Sequence, residues 1–218
     1  DVAFLRFNPF VRALATAATE SQVAPGVFGD GADRLLAGGG MDVSARFWRT
    51  FDVQSRTLGI NRLRHIATPY VGIEHLAASG DPSADFIQMD PVDALDEMAE
   101  ARIGIRNRLQ TKRPGHDGRW RSVDWMALDV AYVDRSSDSV NPMIEDEFIR
   151  ADFSWQVTDK FGLHSRDNRI SLNDRMDVFN VGLDVDFAPN LTFTLDYDYL
   201  TDIAEAVTAE VSLRLSDH

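Results

Sequence analysis

The chain has no cysteine among its 218 residues, so neither a disulfide framework nor a thiolate metal site can form within it. No stretch approaches the roughly 18 uninterrupted apolar residues that a membrane-spanning helix needs. Cations are scarce: 22 Lys and Arg stand against 35 Asp and Glu, a formal net charge of -13. Phosphate backbones reward clustered cations over a whole surface, so a general nucleic-acid binder is excluded, while a local basic stripe is still allowed. The opening run Asp1-Val2-Ala3-Phe4-Leu5-Arg6-Phe7 lacks the basic start, apolar stretch and small-residue cleavage site of a signal peptide. The expectation is a mature chain or the C-terminal piece of a longer one. With 44% hydrophobic and 26% charged residues, the chain is too polar for a helical membrane protein and too apolar for disorder.

What is present is period-two alternation, almost from end to end. Between residues 99 and 112, Ala99, Ala101, Ile103, Ile105 and Leu109 fall on one face, and Glu100, Arg102, Arg106, Arg108, Gln110 and Lys112 on the other. Successive side chains of a strand point to opposite faces, so this strand is apolar on one side and ionic on the other. The C-terminal third repeats the pattern three times. Phe179, Val181, Leu183, Val185 and Phe187 alternate with Asn180, Asp184 and Asp186. Leu191, Phe193, Leu195, Tyr197 and Tyr199 alternate with Thr192, Thr194, Asp196 and Asp198, and Val207, Ala209, Val211, Leu213 and Leu215 with Thr208, Glu210, Ser212 and Arg214. Runs of about 9 to 11 residues are what a tilted strand needs to cross a bilayer, whereas strands of soluble proteins average nearer 5 or 6.

The pattern predicts about ten strands, near 2–15, 42–54, 63–77, 97–112, 122–134, 147–157, 161–170, 177–187, 190–200 and 205–216. Long polar links fall at 16–41, 78–96 and 135–146, shorter ones at 171–176 and 201–204, with compact turns such as Thr158-Asp159-Lys160 and Pro189-Asn190 between them. Membrane barrels have this asymmetry, and the count puts the C-terminus on the short-turn side. The fold class expected is therefore all-β: an antiparallel up-and-down transmembrane β-barrel, with residues 1–218 the C-terminal part of a larger barrel domain in the outer membrane. Aromatics near strand ends, among them Trp48, Phe51, Trp125, Tyr132, Trp155, Phe187 and Tyr199, suit a membrane boundary, and equally the core of a β-sandwich. The acidic run from Asp90 to Met98 reads as a short helix or turn, and Gly38-Gly39-Gly40 as a flexible hinge in a loop.

Leu63-Arg64-His65-Ile66-Ala67-Thr68-Pro69-Tyr70-Val71 resembles the "LRH…P" strand of the LptD family, the lipopolysaccharide-assembly and organic-solvent-tolerance proteins of the outer membrane. Phe7-Asn8-Pro9-Phe10-Val11 resembles that family's "P-[YF]-V" strand, and the run from Ala101 to Lys112 its "R-x-G-x-x-N-x-L-Q-T-[KR]" strand. Val123-Asp124-Trp125 and Asp152-Phe153-Ser154-Trp155-Gln156-Val157-Thr158 follow in the expected order. Together these segments cover most of residues 5–160. The resemblance implies a barrel that receives lipopolysaccharide from periplasmic bridge proteins, holds a lipoprotein plug and opens sideways between its first and last strands. Val207, Ala209, Val211 and Leu213 would then lie on the gate strand. The cysteines of some members and the familiar terminal aromatic are missing here.

Three groups of residues stand out chemically. Arg102, Arg106, Arg108 and Lys112 would face the lumen, where they either grip phosphates of the lipid or neutralise acids such as Asp124, Asp152, Asp184 and Asp186. Arg64 and His65 lie beside Pro69, which cannot donate to a β-ladder and so marks a bulge or a weakened pairing. Asp184 with Asp186 and Asp196 with Asp198 are spaced as acid/base or calcium pairs could be, but a solvated lumen explains them more simply. His75, His116 and His164 have no evident nucleophile partner. No enzyme activity, metal or cofactor is expected. The rival readings are a porin-like or solute-uptake barrel and a soluble carbohydrate-binding β-sandwich.

Overall fold

The computed structural model describes residues 5–19, 22–24, 27–82, 97–115, 118–137, 147–172, 177–188, 190–201 and 204–215. Among these residues the chain is all strand and turn, and no helix is long and apolar enough to cross a membrane. The strands are β1 (Leu5–Ala18), β2 (Gln22–Ala24), β3 (Val27–Phe28), β4 (Ala32–Ala45), β5 (Phe47–Ser55), β6 (Ile60–Gly80) and β7 (Met98–Pro114). They continue as β8 (Trp120–Ser137), β9 (Glu147–Gln156), β10 (Phe161–Ser171), β11 (Val178–Ala188), β12 (Leu191–Leu200) and β13 (Ala204–Leu213). Eleven of them form one antiparallel sheet in the order β1-β4-β6-β7-β8-β9-β10-β11-β12-β13, with β5 also paired to β6. The short strands β2 and β3 pair with each other inside the first long connection. The sheet is not closed: β1 and β13 are its two edges.

β4 and β5 are in effect one strand. Ser44 lies opposite Tyr70 and Phe47 opposite Ala67, the same three-residue step on both strands, so the register runs unbroken through Arg46. The ladder is interrupted there because the facing segment contains Pro69, which has no N–H to donate. Counted this way the sheet is a ten-strand meander. Compact turns join β5 to β6, β7 to β8 and β9 to β10 at one end, where Leu5 and Leu213 also lie. The longer connections gather at the other end.

Register turns the alternation of single strands into rows that run across the sheet. One row reads Leu109, Met126, Trp155, Leu163, Leu183, Leu195, Ala209 across seven strands, all apolar. The adjacent row, on the opposite face, reads Arg108, Ala127, Ser154, His164, Gly182, Asp196, Thr208. On the other half of the sheet, Phe7, Val43, Val71, Ile103, Tyr132 and Ile149 form an apolar row on the first face. A one-residue slip in any strand would send its apolar set to the ionic side, so the pattern itself fixes pairing.

The two faces differ in burial in an unusual sense. The apolar face is open: Ile73 is 60% exposed, Ile103 59%, Val207 70% and Val211 67%. The ionic face is covered in part: Glu74 is 7% exposed and Glu100 9%, while the side chains of Arg106 and Arg108 keep 56% and 50%. Among the described residues there is no second layer of structure, so side chains of a single sheet become buried only if the sheet curls toward them. Bonds between second-neighbour strands occur on that face: Arg12 of β1 reaches Glu74 of β6, Tyr70 of β6 reaches Asp129 of β8, and His164 of β10 reaches Asp196 of β12. The covered face is not ionic throughout. Near the long connections Leu36, Leu76, Met98, Val133 and Phe148 are buried on it, with Arg135 and Arg169 stacked on the Phe148 ring.

Two features depart from the sequence reading. Gly38-Gly39-Gly40 is not a hinge but the middle of β4; a Cβ at Gly38 or Gly40 would run into the backbone carbonyl of His75 or Ile73, and one at Gly39 would come 2.7 Å from the Phe10 carbonyl. The strand can approach its neighbours this closely only without side chains. The expected link at 16–41 is accordingly confined to 19–31. The expected helix or turn at residues 90–96 lies outside the described residues, and Met98 already belongs to β7.

Candidate functional site

The covered face carries three polar clusters, each built where the strand period places charged residues in facing positions. The first spans β1, β4, β6, β7 and β8. Glu74 and Glu100 stand directly opposite each other. Two buried carboxylates at that spacing repel unless cations intervene. Three do: Arg12 approaches Glu74 at 3.1 Å, Arg135 donates to Glu100 at 2.6 Å, and Arg102 donates to Glu100 at 3.0 Å and to Asp42 at 2.6 Å. Gly72 leaves the space for this, because a Cβ there would meet Arg102 Nε at 2.6 Å.

The second cluster lies toward the compact turns. Tyr70 Oη donates to Asp129 Oδ1 at 2.8 Å and Arg106 Nε to Asp129 Oδ2 at 2.6 Å, with the guanidinium 4.6 Å from the centre of the Tyr70 ring. The ring rests on Gly104, where a Cβ would come within 2.6 Å of it. Glycine opposite a bulky ring lets the aromatic lie flat along the sheet and cover the backbone. Further along, Arg108 Nε is 3.6 Å from Asp124, whose other oxygen accepts from Gln110 at 2.7 Å. Trp125 is an extra residue in β8 at this point and packs edge-on against Trp155, ring centres 6.0 Å apart.

The expected stripe is thus divided by environment. Arg102 is saturated by Asp42 and Glu100, Arg106 is paired with Asp129, Arg108 is held loosely and half-exposed, and Lys112 stands opposite Ser122. Of the acids expected to neutralise it, Asp124 does so, while Asp152, Asp184 and Asp186 belong to other contacts. The expected wall residues also separate. Arg64 lies on the covered face with its guanidinium 5.7 Å from the Trp48 ring centre, whereas His65 points to the other face and bonds Asn107 at 3.0 Å. Pro69 interrupts the ladder without creating a bulge; the irregularity falls instead between Phe51 and Gln54 of β5, facing Arg62, whose φ is 60°. Proline removes a donor but its φ is compatible with an extended strand, so register survives it. Val207, Ala209, Val211 and Leu213 lie on the open face of the edge strand β13.

The third cluster is acidic and occupies β10 to β12. His164, 5% exposed, holds Asp184 through Nδ1 at 2.9 Å and Asp196 through Nε2 at 2.8 Å. Thr194 donates to Asp184 at 2.8 Å, Thr192 to Asp186 at 2.6 Å and Asn180 to Asp198 at 2.6 Å. The register sets each of these acids opposite a Thr, Gly or Asn, never opposite another acid. This accounts for the same-strand carboxylate pairs as hydrogen-bonded lining. Among the described residues no group of His, Asp and Glu side chains is arranged to hold a metal ion.

The second and third clusters border one cavity of about 560 Å³ on the covered face. Sequence reasoning missed two of its cations. Arg46 follows the parity of Trp48 and Thr50 and lies opposite Thr68, so its place was readable once Pro69 was known not to shift the register. Arg166 keeps the parity of His164 and was readable in the same way; the extra residue between Ser165 and Asn168 reverses the alternation only of the side chains after it, such as Arg169. Arg113 was also missed: 5% exposed, it donates to the carbonyls of Gln156 at 3.0 Å and Val157 at 3.1 Å and to Asp159 at 3.1 Å, fastening the end of β7 to the β9–β10 turn.

The described residues thus form an all-β antiparallel sheet with a polar, partly covered face and an apolar, exposed one. No protein-family model, curated protein or solved structure matches the chain.

Proposed function

We propose that the chain forms part of the wall of an outer-membrane β-barrel that passes lipopolysaccharide to the outer leaflet. One observation carries the membrane half of this reading: large apolar side chains such as Ile73, Ile103, Val207 and Val211 are exposed on one face, while Glu74, Glu100 and His164 are buried on the other. Leaving large apolar surfaces in water costs about 25 cal/mol per Å², and a soluble sandwich would bury that face under a second sheet. Hydrocarbon resolves the conflict, with the open face against lipid and the covered face lining a hydrated bore. Aromatics on the open face support it. Tyr132 on β8 is exposed there, and Phe187 and Phe179 stand toward opposite ends of β11, separated by about 27 Å of strand at about 3.4 Å per residue. That suits two interfacial girdles about a tilted apolar band.

The lipopolysaccharide half rests on the resemblance of most of residues 5–160 to the LptD family, whose barrel opens sideways beside its last strand. In this reading β13 is one side of that opening, and a lipoprotein plug and periplasmic bridge proteins are the partners. A solute-uptake barrel would share the same wall and differ in cargo. Site-specific photocrosslinking separates them. With a photoreactive phenylalanine at Ser154, which lines the cavity, cells making lipopolysaccharide are expected to yield a lipopolysaccharide adduct. The same probe at Val71, on the open face, reports ordinary membrane lipid. A Ser154 probe that captures no lipopolysaccharide, beside a Val71 probe that captures lipid, leaves the solute-uptake barrel standing and removes the transport reading.

A further inference from the structure

We infer that His164 is a proton-dependent clamp that holds β10 to β12 across β11 and so sets how tightly the C-terminal side of the wall curls. The inference goes beyond the transport reading, because it concerns the shape of the wall whatever passes along it.

In a flat sheet the backbones of second-neighbour strands lie about 9–10 Å apart, so side chains that bond across an intervening strand draw the sheet into a curl. His164 does this on the C-terminal side, reaching from β10 to Asp196 of β12. The strand between them is built for the contact. Gly182 of β11 stands in register with both residues, and a Cβ there would run into His164 Nε2 and Asp196 Oδ1. Because His164 is only 5% exposed, water has little access to replace a bond that breaks.

The hydrogen bonds of the ring make the clamp depend on a proton. Nδ1 lies 2.9 Å from Asp184 Oδ2 and Nε2 lies 2.8 Å from Asp196 Oδ1. An ionised carboxylate only accepts, and a neutral imidazole has a single N–H. Both bonds together therefore need one proton more than a neutral ring and two ionised carboxylates supply. With that proton on the ring, one positive charge stands between two negative ones. Without it, one bond is lost and Asp184 and Asp196 repel each other beside Gly182. The strands then part at this point, and the cavity that His164 and Asp184 line opens further.

The other charged groups near the ring are held by different partners. Asp152 of β9 accepts from the Asp167 N–H, Asp186 of β11 from Thr192, and Asp198 of β12 from Asn180. Across the cavity Asp129 is paired with Arg106 and Asp124 with Arg108. Arg46 and Arg166 also line it, and Glu210 of β13 stands opposite Thr194. Of these side-chain types, histidine is the one whose charge ordinarily changes between about pH 5 and 8.

The test uses the full chain folded in detergent micelles, with nitroxides at Ala127→Cys and Thr208→Cys, the ends of the covered-face row that contains Ser154, His164, Gly182 and Asp196. Between about pH 6 and about pH 9 the distance between the labels is expected to grow reversibly, by up to about one strand spacing of 4.8 Å. His164→Gln, which takes up no charge, is expected to give the longer distance at both values. Asp196→Asn, whose amide can donate to a neutral ring, is expected to keep the shorter distance at both. In 15N spectra of the histidine-labelled chain, the signals missing from His164→Gln are expected to show two ring protons at the lower pH and one at the higher. A His164→Gln chain that follows pH as the unaltered chain does overturns the clamp, and so does a ring with one proton at both values. Should His164→Gln fail to fold, an Asp196→Asn chain that still lengthens with pH overturns it. None of these readouts involves lipopolysaccharide, so they stand or fall apart from the Ser154 crosslink.

Discussion

Ile105→Arg is expected to abolish stable insertion of the chain into bilayers while leaving its strand content in detergent largely unchanged. Ile105 is 41% exposed on the open face, flanked by Pro69 and Val130 in the neighbouring strands. Near the middle of a lipid-facing band an arginine costs roughly 2–4 kcal/mol, whereas an exposed surface substitution in a soluble protein usually changes stability by no more than about 0.5 kcal/mol. The two environments therefore give opposite results for one substitution. Folding into vesicles, followed by urea titration of tryptophan fluorescence, measures the difference.

Glu100→Ala is expected to be the most damaging single change on the covered face. The carboxylate is 8% exposed and holds Arg102 and Arg135 together at 3.0 and 2.6 Å, with Glu74 facing it. Its removal leaves two guanidinium groups crowded on β7 and β8 without their shared anion. Breaking a covered ion pair by deleting one partner costs about 3–5 kcal/mol, and the lower end applies here because Arg102 and Arg135 each retain 18% exposure to solvent. Glu100→Ala combined with Arg135→Ala is expected to recover part of the loss, since the second substitution removes a cation that the first left unpaired. Equilibrium unfolding in micelles checks both, and simple additivity of the two losses would show that the pair does not act as a unit.

The strands of the C-terminal third were legible because nearly every residue there obeys the period. The run expected at 177–187 is observed as Val178–Ala188, and that at 190–200 as Leu191–Leu200. β7 was legible for the same reason, its ionic and apolar faces being unmixed. What failed to show in the sequence failed for specific physical causes. Ala32 to Gly40 carries small residues and three glycines, which give no alternation to read, yet these residues pair on both sides because neighbouring backbones need the room. The extra residues at Trp125 and around Arg166 each reverse the parity of their strand, so a period-two reading places every later side chain on the wrong face. The pairing of Arg12 with Glu74 joins β1 to β6, two strands apart, and no local pattern encodes it. The buried Leu76, Val133 and Phe148 share the ionic parity, so the apolar end of the covered face was hidden among charges.

Because the chain contains no cysteine, a single one can be introduced at chosen positions between Ala99 and Arg108 and its surroundings read directly in vesicles. A nitroxide attached at 99, 101, 103 and 105 is predicted to collide mainly with dissolved oxygen, which concentrates in hydrocarbon. At 102, 106 and 108 it is predicted to collide mainly with a water-soluble nickel chelate. The reverse order, or equal access of the chelate to both sets, would contradict a wall with lipid outside and water within.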